Sequence, residues 1–166
     1  MRILVAGIGN VFLGDDAFGV ETVARLAGRE LPAGVEVADF GIRGFDLVYA
    51  LMDGYDAVVL VDALARGEPA GTLCVLEPCL DEVDGAATLD SHAMHPMAVL
   101  AMLRQLGGTM PPTWIVGCEP GVLDPDGGGH MGLSQPVAGA VGAAADLVEA
   151  LVRRVAVPAA ATARRV

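Results

Sequence analysis

Four acids stand where strands are expected to end. Asp15 and Asp16 close the stretch Val5-Ala6-Gly7-Ile8-Gly9-Asn10-Val11-Phe12-Leu13-Gly14-Asp15-Asp16, Asp39 closes Val35-Glu36-Val37-Ala38, and Asp62 closes the apolar run Ala57-Val58-Val59-Leu60-Val61. The chain adds three histidines, His92, His95 and His130. No serine is framed as G-x-S-x-G and no cysteine sits at a plausible nucleophile turn. Two or three carboxylates with one or two imidazoles suit a mononuclear site for a borderline divalent cation, with a position left open for water or substrate. His92 precedes a helix on a loop able to lean over a crevice, so it is the histidine expected beside Asp16 and Asp62. His95, next to Pro96, reads as a second ligand or as a polar residue at a helix start. His130, among glycines, reads as solvent-exposed, and Met94, Met97 and Met102 read as core filler. The plainer alternative for Asp15 and Asp16 is helix capping, since an N-terminus favours both Asp side chains and negative charge. A lone Asp at a strand end is equally a turn former; convergence in space is what would raise Asp16 and Asp62 above that.

The elements that would bring them together alternate. A strand over residues 2–6 turns on Gly7 and Gly9, read as positive-φ glycines, into a helix over residues 16–28 whose apolar positions are Val20, Val23, Ala24 and Ala27. A strand over 34–39 leads through the glycine-bracketed loop Asp39-Phe40-Gly41-Ile42-Arg43-Gly44 to a short helix carrying Phe45, Leu47, Val48, Ala50 and Leu51. The run 57–62 reads as a central strand buried on both faces. The next strand, 72–77, follows too closely for a crossover helix, so antiparallel pairing is expected. An acidic loop over 78–91, a helix beginning near Pro96 with Val99, Leu100, Leu103 and Leu106 inside, and a strand over 113–117 come next. A glycine-rich loop over 118–133 has the length of a functional loop. Ser134 is then expected to cap a final helix burying Val137, Val141, Ala144, Ala145, Val148, Leu151 and Val152. This pattern predicts a single α/β domain over residues 1–157 with helices on both faces of a mostly parallel sheet, and a disordered tail over 158–166. In such sheets ligands bind beyond the carboxyl ends of the strands, where Asp16, Asp39 and Asp62 are expected to meet.

Composition narrows the function. A formal charge of −11 argues against nucleic acid. Apolar residues make up 54% of the chain, yet no run approaches the ~20 unbroken apolar residues of a membrane span. Residues 1–6 are too short an apolar stretch for a secretory signal. Cys74, Cys79 and Cys118 form no C-x-x-C pair and leave an odd thiol in any pairing, which suits a reducing, cytoplasmic compartment. A rival reading takes Gly7-x-Gly9 with Asp39 as a dinucleotide-binding fingerprint. It meets Phe12 where the third glycine belongs, and a pyrophosphate would face the charges of Asp15 and Asp16.

Five motifs in register resemble one family. They are Gly7-x-Gly9-Asn10-x4-Asp15-Asp16-x2-Gly19, the Val-Asp-Ala around Asp62, Ser91-His92-x3-Pro96, Val116-Gly117-Cys118-Glu119-Pro120, and Gly132-Leu133-Ser134-x-Pro136-Val137. The set is similar to the [NiFe]-hydrogenase maturation endopeptidases, in order, over residues 2–154. The resemblance implies a three-layer, phosphorylase/hydrolase-like α/β fold with a five-stranded twisted sheet. It also implies a monomeric cytoplasmic endopeptidase that removes a C-terminal extension from the hydrogenase large-subunit precursor. Its metal-binding residues fall on Asp16, Asp62 and His92, with catalytic parts also placed on Asp16 and Asp62, and Asp39 and Gly41 lie in a loop kept near the site. Asp16 replaces a Glu found in some members and shortens the reach by one methylene. The nickel is expected to be carried by the substrate, with another divalent cation as a possible surrogate. A non-catalytic nickel-binding chaperone on the same scaffold is the alternative.

Overall fold

A computed structural model of the chain describes residues 1–79, 95–123 and 131–157. Five strands form one sheet: β1 (Ile3–Ile8), β2 (Val35–Gly41), β3 (Ala57–Ala63), β4 (Leu73–Leu76) and β5 (Thr113–Cys118). Their order is β2-β1-β3-β5-β4. The β1–β2, β1–β3 and β3–β5 pairs are parallel, and β4 alone runs antiparallel, against β5. The short β3–β4 connection does reverse the chain as expected. The two strands are not neighbours, however, because β5 lies between them.

Alternation along the central strands makes two cores. Ile3 and Val5 of β1 and Val59 and Val61 of β3 pack with helices α1 (Phe18–Leu26) and α4 (Gln135–Ala156). Leu4, Ala6, Val58 and Leu60 pack on the opposite face with α2 (Gly44–Met52) and α3 (Pro96–Gln105). A strand buried on both faces has no polar face to alternate with, which is why Ala57–Val61 reads as continuous apolar sequence. α4 is long and apolar enough to match the dimensions of a membrane span. Its apolar side, including Val137, Ala144, Val148 and Val152, is fully buried in the first core.

Several local expectations change. β1 runs on through Gly7 to Ile8, and Gly7 does not take positive φ; only Gly9 of the two does, at 134°. Gly7 is small for another reason: a Cβ there would lie 2.6 Å from the Gly19 carbonyl oxygen and from Val23 Cγ2. Gly19 repeats this on the helix side, where a Cβ would meet the Val61 and Ile8 carbonyl oxygens at 2.1 and 2.2 Å. The pair lets α1 lie directly on the ends of β1 and β3. The helix predicted from residue 16 is split: residues Gly14–Ala17 form a 3-10 turn, and α1 starts only at Phe18. Its buried face is Phe18, Thr22, Val23 and Leu26, while Ala24 and Ala27 are exposed. Leu106, expected inside, is 47% exposed, and Phe45 on the short helix is 59% exposed. The tail over 158–166 and most of the acidic loop over 78–91 lie outside the described residues.

Candidate active site

The strand order reverses direction at β1, so the crevice between β1 and β3 at their carboxyl ends is the switch point where this kind of sheet takes its ligands. Asp62, the sixth residue of β3, stands at that end and is only 3% exposed. It alternates in phase with Val58 and Leu60, so its side chain belongs to the α2/α3 side. Its sole hydrogen bond among the described residues comes from its neighbour's amide, Ala63 N to Oδ1 at 2.8 Å.

Asp16 reaches the same place from the β1–α1 connection. Asn10 Oδ1 accepts from Phe12 N at 3.0 Å, and Leu13 N donates to the Asn10 carbonyl at 3.1 Å, folding the chain back on itself. The 3-10 turn then returns Asp16 to the start of the loop, where its Oδ2 accepts from Asn10 N at 2.7 Å. Gly9 is glycine because of this return: a Cβ would sit 1.8 Å from the Asp16 carbonyl oxygen. The close approach that Gly9 permits is thus taken by the chain's own backbone.

Burial raises the Asp16 carboxyl above its ordinary range, partly offset by the Asn10 amide. Asp62 is raised much further, first by burial and then by the negative charge of Asp16, with the Ala63 amide opposing weakly. Two buried carboxyls with raised proton affinity, one of them raised further by the other's charge and both with acceptor capacity left over, favour a cation or a proton beside them. The donor chemistry therefore fits a divalent cation.

The remaining candidates are placed differently. His92 and His130 lie outside the described residues. His95 takes the N-cap position of α3, its Nδ1 accepting from Ala98 N at 3.4 Å, and burial lowers its pKa. Asp39 is exposed on β2 opposite Gly7 and does not join the acid pair; it lines a hollow of about 440 Å³ with Asn10, Val11, Phe12, Phe40 and Ile42. Among the described residues no third Asp, Glu, His or Cys completes a metal-sized cluster with Asp16 and Asp62.

Two further acids, Asp15 and Glu119, have structural roles. Asp15, completely buried, accepts from Gly121 N (2.8 Å), Val122 N (2.7 Å) and Ser134 Oγ (2.8 Å) at Oδ2, and from Ser134 N (2.6 Å) at Oδ1. Burial alone would raise its pKa, but these donors hold it below the ordinary carboxylate range. Asp15 is thus no helix cap. Ser134 is not one either: it occupies the N-cap position of α4 but spends its hydroxyl on Asp15. Glu119 likewise gathers the β3–β4 loop, accepting from Arg66 N at 2.7 Å and Gly67 N at 3.2 Å. Nothing in local spacing marks these partners, which lie 106 to 119 residues from Asp15 and 52 to 53 from Glu119.

Comparison with known proteins gives one answer. The sequence profile described as hydrogenase maturation protease matches residues 20–151. The hydrogenase 2 maturation protease of Escherichia coli strain K12 is 34% identical over 163 residues, covering 96% of this chain and 95% of that protein. Rhodobacter capsulatus HupD, a hydrogenase expression/formation protein, is 34% identical over 131 residues; the match covers 76% of this chain and 61% of HupD. Among solved structures, the hydrogenase maturating endopeptidase HybD from E. coli superposes with a TM-score of 0.75 at 32% identity, covering 94% of each chain. A hydrogenase 2 maturation peptidase from the Thaumarchaeota archaeon SCGC_AB-539-E09 gives 0.66 at 32% identity, covering 91% of this chain and 98% of the other. With a sheet of the same form and sequence agreement along nearly its whole length, this chain belongs to the hydrogenase maturation protease family.

Proposed function

We propose that this protein is an endopeptidase that removes a C-terminal extension from the nickel-loaded precursor of a [NiFe]-hydrogenase large subunit. The observation that carries the reading is the buried Asp62 carboxyl, held by one amide and facing the charge of Asp16. A substrate that arrives with its own divalent cation meets two oxygen donors in want of one. Asp16 and Asp62, with His92 as the third donor taken from the family pattern, would complete the coordination of substrate-borne nickel and so dock the cleavage site. Another divalent cation would act as a surrogate. A carboxyl with raised proton affinity is also suited to hold and release the proton of an attacking water, a second use for the same pair. The hollow beside Asn10, with Phe12 59% and Ile42 61% exposed, offers apolar surface on which an extended protein segment would lie. The same reading takes the protein as a cytoplasmic monomer; Cys74, Cys79 and Cys118 are all free thiols, as a reducing compartment keeps them.

Mass spectrometry of a large-subunit precursor incubated with this protein, with and without nickel loaded, tests the proposal. Loss of a defined C-terminal peptide from the nickel-loaded form alone is the expected result. Cleavage regardless of nickel would remove the metal from the reading. A stable complex with unchanged mass would reduce the protein to a nickel-binding chaperone.

A further inference from the structure

The carboxylate beside the metal-facing acid has no part in the reading above, yet it is the more heavily bonded of the two. Asp15 receives four hydrogen bonds from Gly121, Val122 and Ser134, and its own amide donates to the Val122 carbonyl at 2.9 Å. Both ends of the residue are therefore fastened to the segment that joins β5 to α4. Asp15 and Asp16 are consecutive in one 3-10 turn, with φ and ψ of both fixed by it. Asp16 itself has a single described hydrogen bond on its carboxylate, from Asn10 N. Among the described residues that one bond ties the Asp16 side chain back to the end of β1, while four donors tie its neighbour to the β5–α4 segment.

From this geometry we infer that Asp15 is a positioning residue for the metal-facing pair: its bonds to Gly121, Val122 and Ser134 set where Asp16 presents its carboxylate to Asp62. The inference rests on the metal reading for its functional meaning, while the positioning itself is a matter of hydrogen bonding. Loosening Asp15 frees the turn, lets Asp16 leave Asn10 N, and weakens whatever the acid pair binds. A buried acid that served only overall stability would not single out Asn10.

The experiment compares four metal-free proteins: wild type, Asp15→Asn, Ser134→Ala and Val152→Ala. Ser134→Ala removes one of the four donors and keeps the question open if Asp15→Asn does not fold. Val152→Ala opens a core cavity ~27 Å along α4 from Ser134 (18 residues at about 1.5 Å each), a destabilisation remote from the turn. Amide exchange at Asn10 is read against that at Leu60, in the middle of β3, since local opening and global unfolding respond differently to a remote destabilisation. Asp15→Asn is expected to speed Asn10 exchange at least tenfold and Ser134→Ala about threefold, with Val152→Ala leaving Asn10 within twofold. Titration with Ni²⁺ alone, followed by calorimetry, is expected to show the same order of weakening. Asn10 exchange within twofold of wild type in both Asp15→Asn and Ser134→Ala would overturn the inference, as would equal acceleration by Val152→Ala. If the wild type binds no Ni²⁺, the metal reading fails on its own, and the Asn10 exchange still decides the positioning role.

Discussion

Asp15 and Asp62 are almost equally hidden from solvent, at 0% and 3% exposed, and burial pushes both carboxyls toward protonation. Their outcomes are opposite because their partners are. Four donors converge on Asp15 and keep it ionised, whereas Asp62 has the Ala63 amide and a like charge beside it. A buried acid surrounded by donors fastens structure together. A buried acid with a single donor among the described residues, at the carboxyl end of a central strand, keeps acceptor capacity that those residues do not use. Burial alone distinguishes nothing here; the inventory of donors does.

The comparison breaks most easily at Asp15. Asp15→Asn leaves donors without their acceptor in a dry site, and the expected loss is about 3–5 kcal/mol in chemical denaturation at neutral pH. A loss below about 1 kcal/mol would remove Asp15 from the fastening role. Asp62→Asn should do the reverse in the metal-free protein. Replacing a carboxyl that resists ionisation by a neutral amide is expected to raise the denaturation midpoint at pH 7 while abolishing divalent-cation binding.

The two acids also give opposite pH dependence. The folded-state pKa of Asp62 is raised, so the folded state holds the proton that the unfolded state releases, and stability falls as pH rises from about 4 toward that raised value. Asp15 is lowered, so its contribution is present above about pH 4 and disappears as pH falls through its folded pKa. Denaturation across pH 3 to 7 should therefore show the gain from Asp62→Asn shrinking on acidification; a gain that stays constant would detach it from ionisation. Ser134→Ala, removing one donor of four, sharpens the picture with an expected cost of about 1 kcal/mol. Smallest of all, Ile42→Ser lies outside both acids on the exposed hollow. It should change stability by no more than about 0.5 kcal/mol while slowing precursor cleavage. Unaltered cleavage would take the hollow out of the substrate path.

Much of this was legible in the chain. Alternating elements and the unbroken apolar run at Ala57–Val61 announced a parallel sheet covered on both faces, and Asp62 at its end followed from the run's length. The convergence of Asp16 with Asp62 required only that ligands gather beyond strand ends. What could not be read was long-range. That β5 inserts between β3 and β4 depends on pairings decided over forty residues later in the chain, from Leu73 to Cys118. The separate duties of Asp15 and Asp16 depend on which of two adjacent side chains turns toward Gly121 and Ser134, and neighbouring identical residues carry no mark of that. Gly7 was legible as necessary, though not for the right reason, because a strand packed against helix backbone demands glycine as strictly as a left-handed turn.

The fastening of Asp15 also has a consequence in time. Its partners lie 106 to 119 residues further along the chain. A ribosome adding ~5–20 residues per second delivers them roughly 5–25 s after Asp15 itself has been made. During that interval β1, β2 and β3 are already available to pair, while Asp15 has no protein donors and the turn carrying Asp16 is unfastened. The set of donors to Asp15 is thus complete only once Ser134 has been made. A truncated product ending before Gly121 would carry Asp16 and Asp62 in sequence with none of the donors that fasten Asp15.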